Sequence, residues 1–295
     1  MEWKWAKANE KDLAKFVTEK SFDLLPKLPD VRFDLVHDPQ GRRSLVEVIY
    51  KTLVALDIRY AYEKYHPEDE TQLIRTPPEI LLKPGEGTCL DLALLFCGIC
   101  FGCDLLPLLV VIEGHALVAV SLKHKRDEWT DFARERSIFN TPELFKGEDK
   151  LAELRKFIES NAYIAVECTG FAHTQSFTGS EPEAIGRVDG ILPFERAINA
   201  GIEQLNNPNR PFQFAIDIAA ARYGWKMDSF EIPEPPTKSE WNVLIQGKLN
   251  IEKLEDVKAT AAKVGILRSG KAEGILNAKE VKGSEIVGVQ VEEAG

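Results

Sequence analysis

Residues 83–92 read Lys83-Pro84-Gly85-Glu86-Gly87-Thr88-Cys89-Leu90-Asp91-Leu92, and the organisation of the chain follows from them. The proline and the two glycines make a turn that no regular element crosses. Thr88 and Asp91 then match a capping box, with Thr88 as N-cap and Asp91 at the third helical position. A helix is therefore predicted to begin at Cys89. Residues 90–103 are apolar on every face, the pattern of a helix buried at the centre of a domain.

Outward from this helix, residues 1–30 read as helical, with apolar positions Leu13, Phe16, Val17 and Phe22. Residues 43–62 read as a longer amphipathic helix, because Leu45, Val48, Ile49, Leu53, Leu56 and Ile58 recur near the 3.6 period. A polar, proline-containing stretch follows at 66–78. On the other side, 108–112 and 116–122 are rich in β-branched residues. They are predicted to be neighbouring strands joined by a tight turn at Glu113-Gly114-His115. Residues 123–160 are charged and read as largely helical, a segment that could fold over a cleft as a flap. A third strand is predicted at 162–168. Residues 194–205 and 214–222 read as two helices, or as a helix and a strand.

The C-terminal part differs in character. Prolines among charged residues make 231–240 a linker. After Trp241 there is no aromatic residue, and short apolar pulses at 243–245, 264–267, 274–276 and 286–291 each lie near a glycine. We read 241–295 as a small β-rich module for docking to a partner or for self-association, with a partly disordered tail as the alternative. The expected fold class is thus α+β: a domain over 1–230 with a central helix packed on an antiparallel sheet, the linker, and the module.

Composition narrows the function. The chain has 295 residues with apolar and charged fractions ordinary for a globular protein. No run of uncharged apolar residues is long enough for a membrane helix, and the N-terminus lacks a basic segment followed by an apolar core. The five cysteines are Cys89, Cys97, Cys100, Cys103 and Cys168, too clustered for a disulfide framework. A reducing compartment, the cytoplasm, is expected. The net charge of -10 disfavours binding to nucleic acid or anionic lipid. From Trp241 onward eight basic and eight acidic residues cancel, so the excess lies in 1–240, where it serves solubility.

The chemistry points to Cys89. At the first helical position, unpaired backbone N–H groups and the helix dipole favour a thiolate. Asp91 would oppose that charge unless engaged by the cap or by a basic neighbour such as Arg75. The alternative is a buried, inert thiol, which is the expectation for Cys97, Cys100 and Cys103. Among the histidines only His115 stands at the mouth of a strand, directly after Gly114. It is the candidate base. Glu167 is the single charged residue in the apolar strand, so it needs a partner if buried, and orienting His115 would supply one. An edge-strand glutamate facing water is the alternative. The run Cys97-Gly-Ile-Cys100-Phe-Gly-Cys103 has iron–sulfur spacing, but Pro107 stands where a fourth ligand would fall, so no metal and no cofactor are expected.

Three segments together resemble a known family. They are Gln72-Leu-Ile-Arg-Thr-Pro-Pro-Glu-Ile-Leu-Leu-Lys-Pro-Gly-Glu-Gly-Thr-Cys89-Leu-Asp-Leu, then Glu-Gly114-His115-Ala-Leu-Val-Ala-Val, then Val-Glu167-Cys-Thr169-Gly. The order resembles the transglutaminase-like (papain-related) cysteine protease superfamily, most closely bacterial members with a Gly-Thr-Cys-Leu-Asp-Leu nucleophile motif, over about residues 45–225. The resemblance implies a catalytic triad of Cys89, His115 and Glu167, with Glu167 where the family usually has aspartate. It implies Gln72, with the Cys89 N–H, as oxyanion hole, and Thr88, Asp91, Gly114 and Thr169 as supporting residues. It also implies a thiol-dependent hydrolase of amide bonds acting on a protein or peptide through a thioacyl intermediate. Alternatives are a protein transamidase of the same fold and a non-catalytic scaffold in a regulatory or defence complex.

Overall fold

The helix predicted behind Thr88 is present and runs from Cys89 to Gly102. The computed structural model describes residues 1–5, 10–25, 35–62, 71–81, 85–129, 145–174, 177 and 179–231. In chain order these form β1 (Glu2–Lys4), α1 (Pro39–Val54), β2 (Arg59–Tyr60), β3 (Thr71–Leu73), α2 (Pro77–Leu81), β4 (Glu86–Gly87) and α3 (Cys89–Gly102). Then come β5 (Pro107–Ile112), β6 (His115–Ser121), α4 (Arg126–Trp129), α5 (Glu148–Glu159), β7 (Tyr163–Val166), α6 (Phe194–Leu205) and β8 (Phe212–Asp217). The mixture is α+β, as expected. The predicted linker, apart from Glu231, and the predicted module at 241–295 lie outside the described residues.

The centre is α3 against a four-stranded antiparallel sheet of order β7-β6-β5-β8. Every residue of α3 after Cys89 is buried. Alternate residues divide the sheet's faces. Leu109, Val111, Val118, Val120, Val166 and Ile216 join the core around α3, while Leu108, Val110, Leu117, Ala119 and Ala165 join a second cluster with Leu151 and Leu154 of α5. Strands buried on both faces read as continuous apolar runs, which is how β5 and β6 read in sequence.

The glycines of the cysteine-rich run have a packing role. A Cβ on Gly98 would stand 2.5 Å from the Thr18 carbonyl oxygen, and one on Gly102 would collide with the Glu19 carbonyl and the Phe22 ring. Spaced one turn apart, they let the 3-10 turns at Glu10–Phe16 and Glu19–Leu24 lie against the α3 backbone. Cys97, Cys100 and Cys103 are fully buried beside them, and no group of metal-ligating side chains occurs among the described residues.

Several expectations need correction. Among the described residues, 1–30 is not one α-helix: Glu2–Lys4 is a strand paired with β3, with Trp3 opposite Gln72, and the helical part is two 3-10 stretches, Glu10–Phe16 with Leu13 and Phe16 and Glu19–Leu24 with Phe22, Val17 lying between them. The helix expected at 43–62 starts earlier and stops sooner. Asp38 caps it through the Gly41 N–H, Pro39 occupies the first turn, and Asp57 takes the left-handed conformation (φ 51°) before β2. The stripe from Leu45 to Ile58 is nonetheless buried throughout. His115 lies in β6 rather than in the turn, paired with Ile112, and Gly114 takes φ +69°. The flap expected over the cleft is, at Glu148–Glu159, a helix covering the sheet face away from α3. Of the two readings of 194–205 and 214–222, the helix and strand is the one present: α6, then β8 followed by a π-helical turn, Ala220–Gly224.

Asp217 ends β8 and caps that turn, accepting from the Ala220 N–H at 3.0 Å. Burial pushes its carboxyl up from 3.8 to about 6, against the backbone hydrogen bonds that favour its charge. A raised acid costs stability once ionised, so the penalty is absent below about pH 4 and complete above about 6. Asp217→Asn keeps one acceptor oxygen and carries no charge. It is expected to stabilise the fold by about 1–3 kcal/mol at pH 8 and by nothing at pH 4 in urea unfolding. Equal effects at both pH values would contradict this.

Candidate active site

The capping box at the start of α3 is complete. Thr88 Oγ1 accepts from the Asp91 N–H at 3.3 Å, and Asp91 Oδ2 accepts from the Thr88 N–H at 3.0 Å. Asp91 is fully buried and also accepts from the Arg75 N–H (2.9 Å) and the Arg75 guanidinium (3.0 Å). Burial alone raises its carboxyl, and the three hydrogen bonds it accepts, with the Arg75 charge, oppose that. The charge that would have worked against Cys89 is thus taken up by the cap and by Arg75, as expected from sequence. Cys89 is left at the first helical position and, of the five cysteines, is the one that reaches solvent. Burial pushes the thiols of Cys97, Cys100 and Cys168 well above their ordinary range.

Antiparallel pairing of β6 with β7 brings His115, at the start of one strand, beside Glu167, at the end of the other. His115 Nε2 and Glu167 Oε2 are 2.7 Å apart, with side chains 3% and 0% exposed. The other carboxylate oxygen, Oε1, accepts from the Thr169 N–H at 2.8 Å. β7 is an edge strand of the sheet, but the reading of Glu167 as facing water is excluded. Burial works against its charge, but the His115 charge and the hydrogen bonds from His115 and Thr169 prevail and hold it at about 2. Burial likewise works against the His115 imidazolium. The charges of Glu167 and Cys89, with hydrogen bonds to both, outweigh it and raise the ring well above 6.5. With Nε2 on Glu167, Nδ1 is the ring nitrogen left to exchange a proton with the Cys89 thiol. The protonation of each nitrogen follows from these partners.

Gln72, on β3, lies next to the helix start: its Nε2 donates to Thr88 Oγ1 at 3.4 Å, and its Oε1 accepts from the Trp5 indole at 3.1 Å. Thr169 both donates to Glu167 and is held in turn, because the Arg187 guanidinium donates to its carbonyl and its hydroxyl. Gly114 closes the two-residue turn before His115.

Two residues at the site carried no sequence signal. Arg187 uses all five N–H donors, on the carbonyls of Glu183, Ala172, Gly190 and Thr169 and on the Thr169 hydroxyl. It fixes the turn that follows Glu167, and nothing in a loop arginine announces that. Tyr60, opposite Gly87 on β4, stands beside Cys89, and burial first, then the Cys89 charge, raise its phenol well above its ordinary range. It lay inside the helix predicted to reach residue 62. Asp57, placed between two apolar residues, marks the break that would have exposed it.

Among the described residues no helix is long and apolar enough to cross a membrane. No family model, curated protein or solved structure matches the chain.

Proposed function

We propose that this protein is a cysteine-dependent hydrolase of amide bonds acting on a protein or peptide. The observation that carries the proposal is the fully buried His115–Glu167 pair at 2.7 Å beside a solvent-reaching cysteine on a capped helix start. A carboxylate shut away from water is costly unless it holds a cation, and an imidazolium between a carboxylate and a thiolate meets that need. The sequence of elements, with cysteine opening a central helix, histidine on a following strand and an acid on the strand after it, suits the transglutaminase-like, papain-related plan. Five free cysteines suit a reducing compartment such as the cytoplasm.

In the mechanism, His115 Nδ1 takes the Cys89 proton while Glu167 stabilises the imidazolium. The thiolate adds to the amide carbonyl, and the oxyanion is held by the Cys89 N–H at the helix start, with Gln72 nearby. Collapse expels the amine, which takes the proton from His115 and leaves a thioester. His115 then draws a proton from water as it attacks, and the acid product leaves with Cys89 restored.

p-Nitrophenyl acetate supplies a test that needs no natural substrate. A burst of p-nitrophenol with an acetyl group mapped to Cys89 is expected, and Cys89→Ala is expected to slow release on the order of 10⁴-fold or more. Undiminished release by Cys89→Ala, or acetylation confined to other residues, would contradict the proposal.

A further inference from the structure

The mechanism uses the helix N–H for the oxyanion and leaves one polar group on the nucleophile unexplained. That group is the Tyr60 hydroxyl. Its backbone is fixed from both sides: β2 runs parallel to β4 with Tyr60 opposite Gly87, two residues before Cys89. Arg59 N–H donates to the Gly85 carbonyl at 2.8 Å, Ala61 N–H to the Gly87 carbonyl at 2.9 Å, and Tyr60 N–H to the His173 carbonyl at 2.9 Å. The ring packs on Phe177, centroids 4.7 Å apart, and the Arg187 guanidinium lies over the same Phe177 ring, 4.9 Å from its centroid. From this seat, opposite Gly87, the side chain stands beside Cys89, near enough for the Cys89 charge to help keep the phenol protonated.

We propose that Tyr60 is a further catalytic residue, whose hydroxyl donates to the Cys89 thiolate at rest and to the carbonyl oxygen once that carbon is bonded to sulfur. This rests on the hydrolase reading above. When the S–C bond forms, the carbonyl π pair moves to oxygen, and the negative charge passes from sulfur to an atom two bonds away. A donor beside the sulfur follows the charge by a small rotation. No proton is transferred: the phenol remains a donor throughout, because burial first, and then the charges around it, keep it from ionising. The side-chain amide of Gln72 is by contrast engaged at both ends, its nitrogen donating to Thr88 and its oxygen accepting from Trp5. A neutral donor also adds no positive charge to compete with His115 for Glu167.

The test pairs two reactions of Cys89. Acylation by p-nitrophenyl acetate creates an oxyanion, whereas alkylation by iodoacetamide does not. In Tyr60→Phe, which keeps the ring on Phe177, the acylation burst is expected to slow about 10²-fold, as for loss of one oxyanion donor, while alkylation does not slow. Retained alkylation also reports an intact fold. An unchanged burst in Tyr60→Phe, with Cys89→Ala inactive, overturns the role of Tyr60 and leaves the hydrolase reading standing. Equal losses in both reactions overturn it too, since Tyr60 then only positions the thiolate. A burst that survives Cys89→Ala overturns the hydrolase reading itself.

Discussion

His115→Ala is expected to destabilise the fold by about 3–5 kcal/mol at pH 7.5, because it strands a buried carboxylate without its cation. The reason lies in the opposing influences on Glu167. Burial is the largest and acts against the charge, and His115 supplies most of what overcomes it. With the ring gone, the Thr169 hydrogen bonds and the charges of Arg187 and Arg210, none of which touches the carboxylate as His115 does, are what remain. In the native protein the lowered carboxyl contributes stability above its ordinary value of 4.5 that is lost as pH falls through about 2. In His115→Ala that contribution becomes a penalty that grows as pH rises through and above 4.5. The imidazole has the opposite sign: its raised value contributes stability below 6.5 that is lost as pH rises through the value it has in the fold. Urea unfolding of His115→Ala at pH 4 and pH 7.5 should therefore show a larger deficit at the higher pH, and adding Glu167→Ala should restore part of it. A deficit independent of pH, or no recovery in the double variant, would argue against a charged pair.

Glu167→Gln carries the second large effect. It keeps the shape and one acceptor oxygen but removes the charge that, with Cys89, holds the imidazolium against burial. Acylation is expected to slow on the order of 10³-fold or more, in line with loss of the orienting acid from nucleophile–histidine–acid triads. The pH profile should move with it. In the native protein the imidazolium persists well above 6.5, so the alkaline limb of the rate lies on the alkaline side of neutral. In Glu167→Gln that limb should move toward acid. A variant with native rate and profile would show that Glu167 is structural. The glutamate supports a particular geometry: one oxygen takes the ring and the other takes the Thr169 N–H, so its longer side chain reaches a histidine on the neighbouring strand without leaving an acceptor empty.

The pair at the centre of this account was legible in the chain because both signals are local. Thr88 and Asp91 announce the helix start within four residues, and an acid inside an apolar strand announces a need for a partner. The fold around α3 was readable for the same reason, since all-round apolarity has a single physical meaning in a globular domain. What escaped depends on distant contacts. Trp3 belongs to a strand because it pairs with Gln72 across the chain, and Gly98 and Gly102 signify close approach only once the 3-10 turns lie on them. Cys97, Cys100 and Cys103 have iron–sulfur spacing, but the spacing that matters to the packing is that of Gly98 and Gly102. Arg187 reaches Thr169 over eighteen positions from an irregular segment, a contact no periodicity encodes.

The central claim is that His115 and Glu167 activate Cys89, and the most direct measurement is the rate of iodoacetamide alkylation of each cysteine at pH 5.5, read by peptide mapping. The account predicts that Cys89 is alkylated faster than a free thiol, that Cys97, Cys100 and Cys168 stay unmodified in the folded protein, and that His115→Ala removes the advantage of Cys89. Alkylation of Cys89 no faster than a free thiol, or equally fast with and without His115, would contradict it.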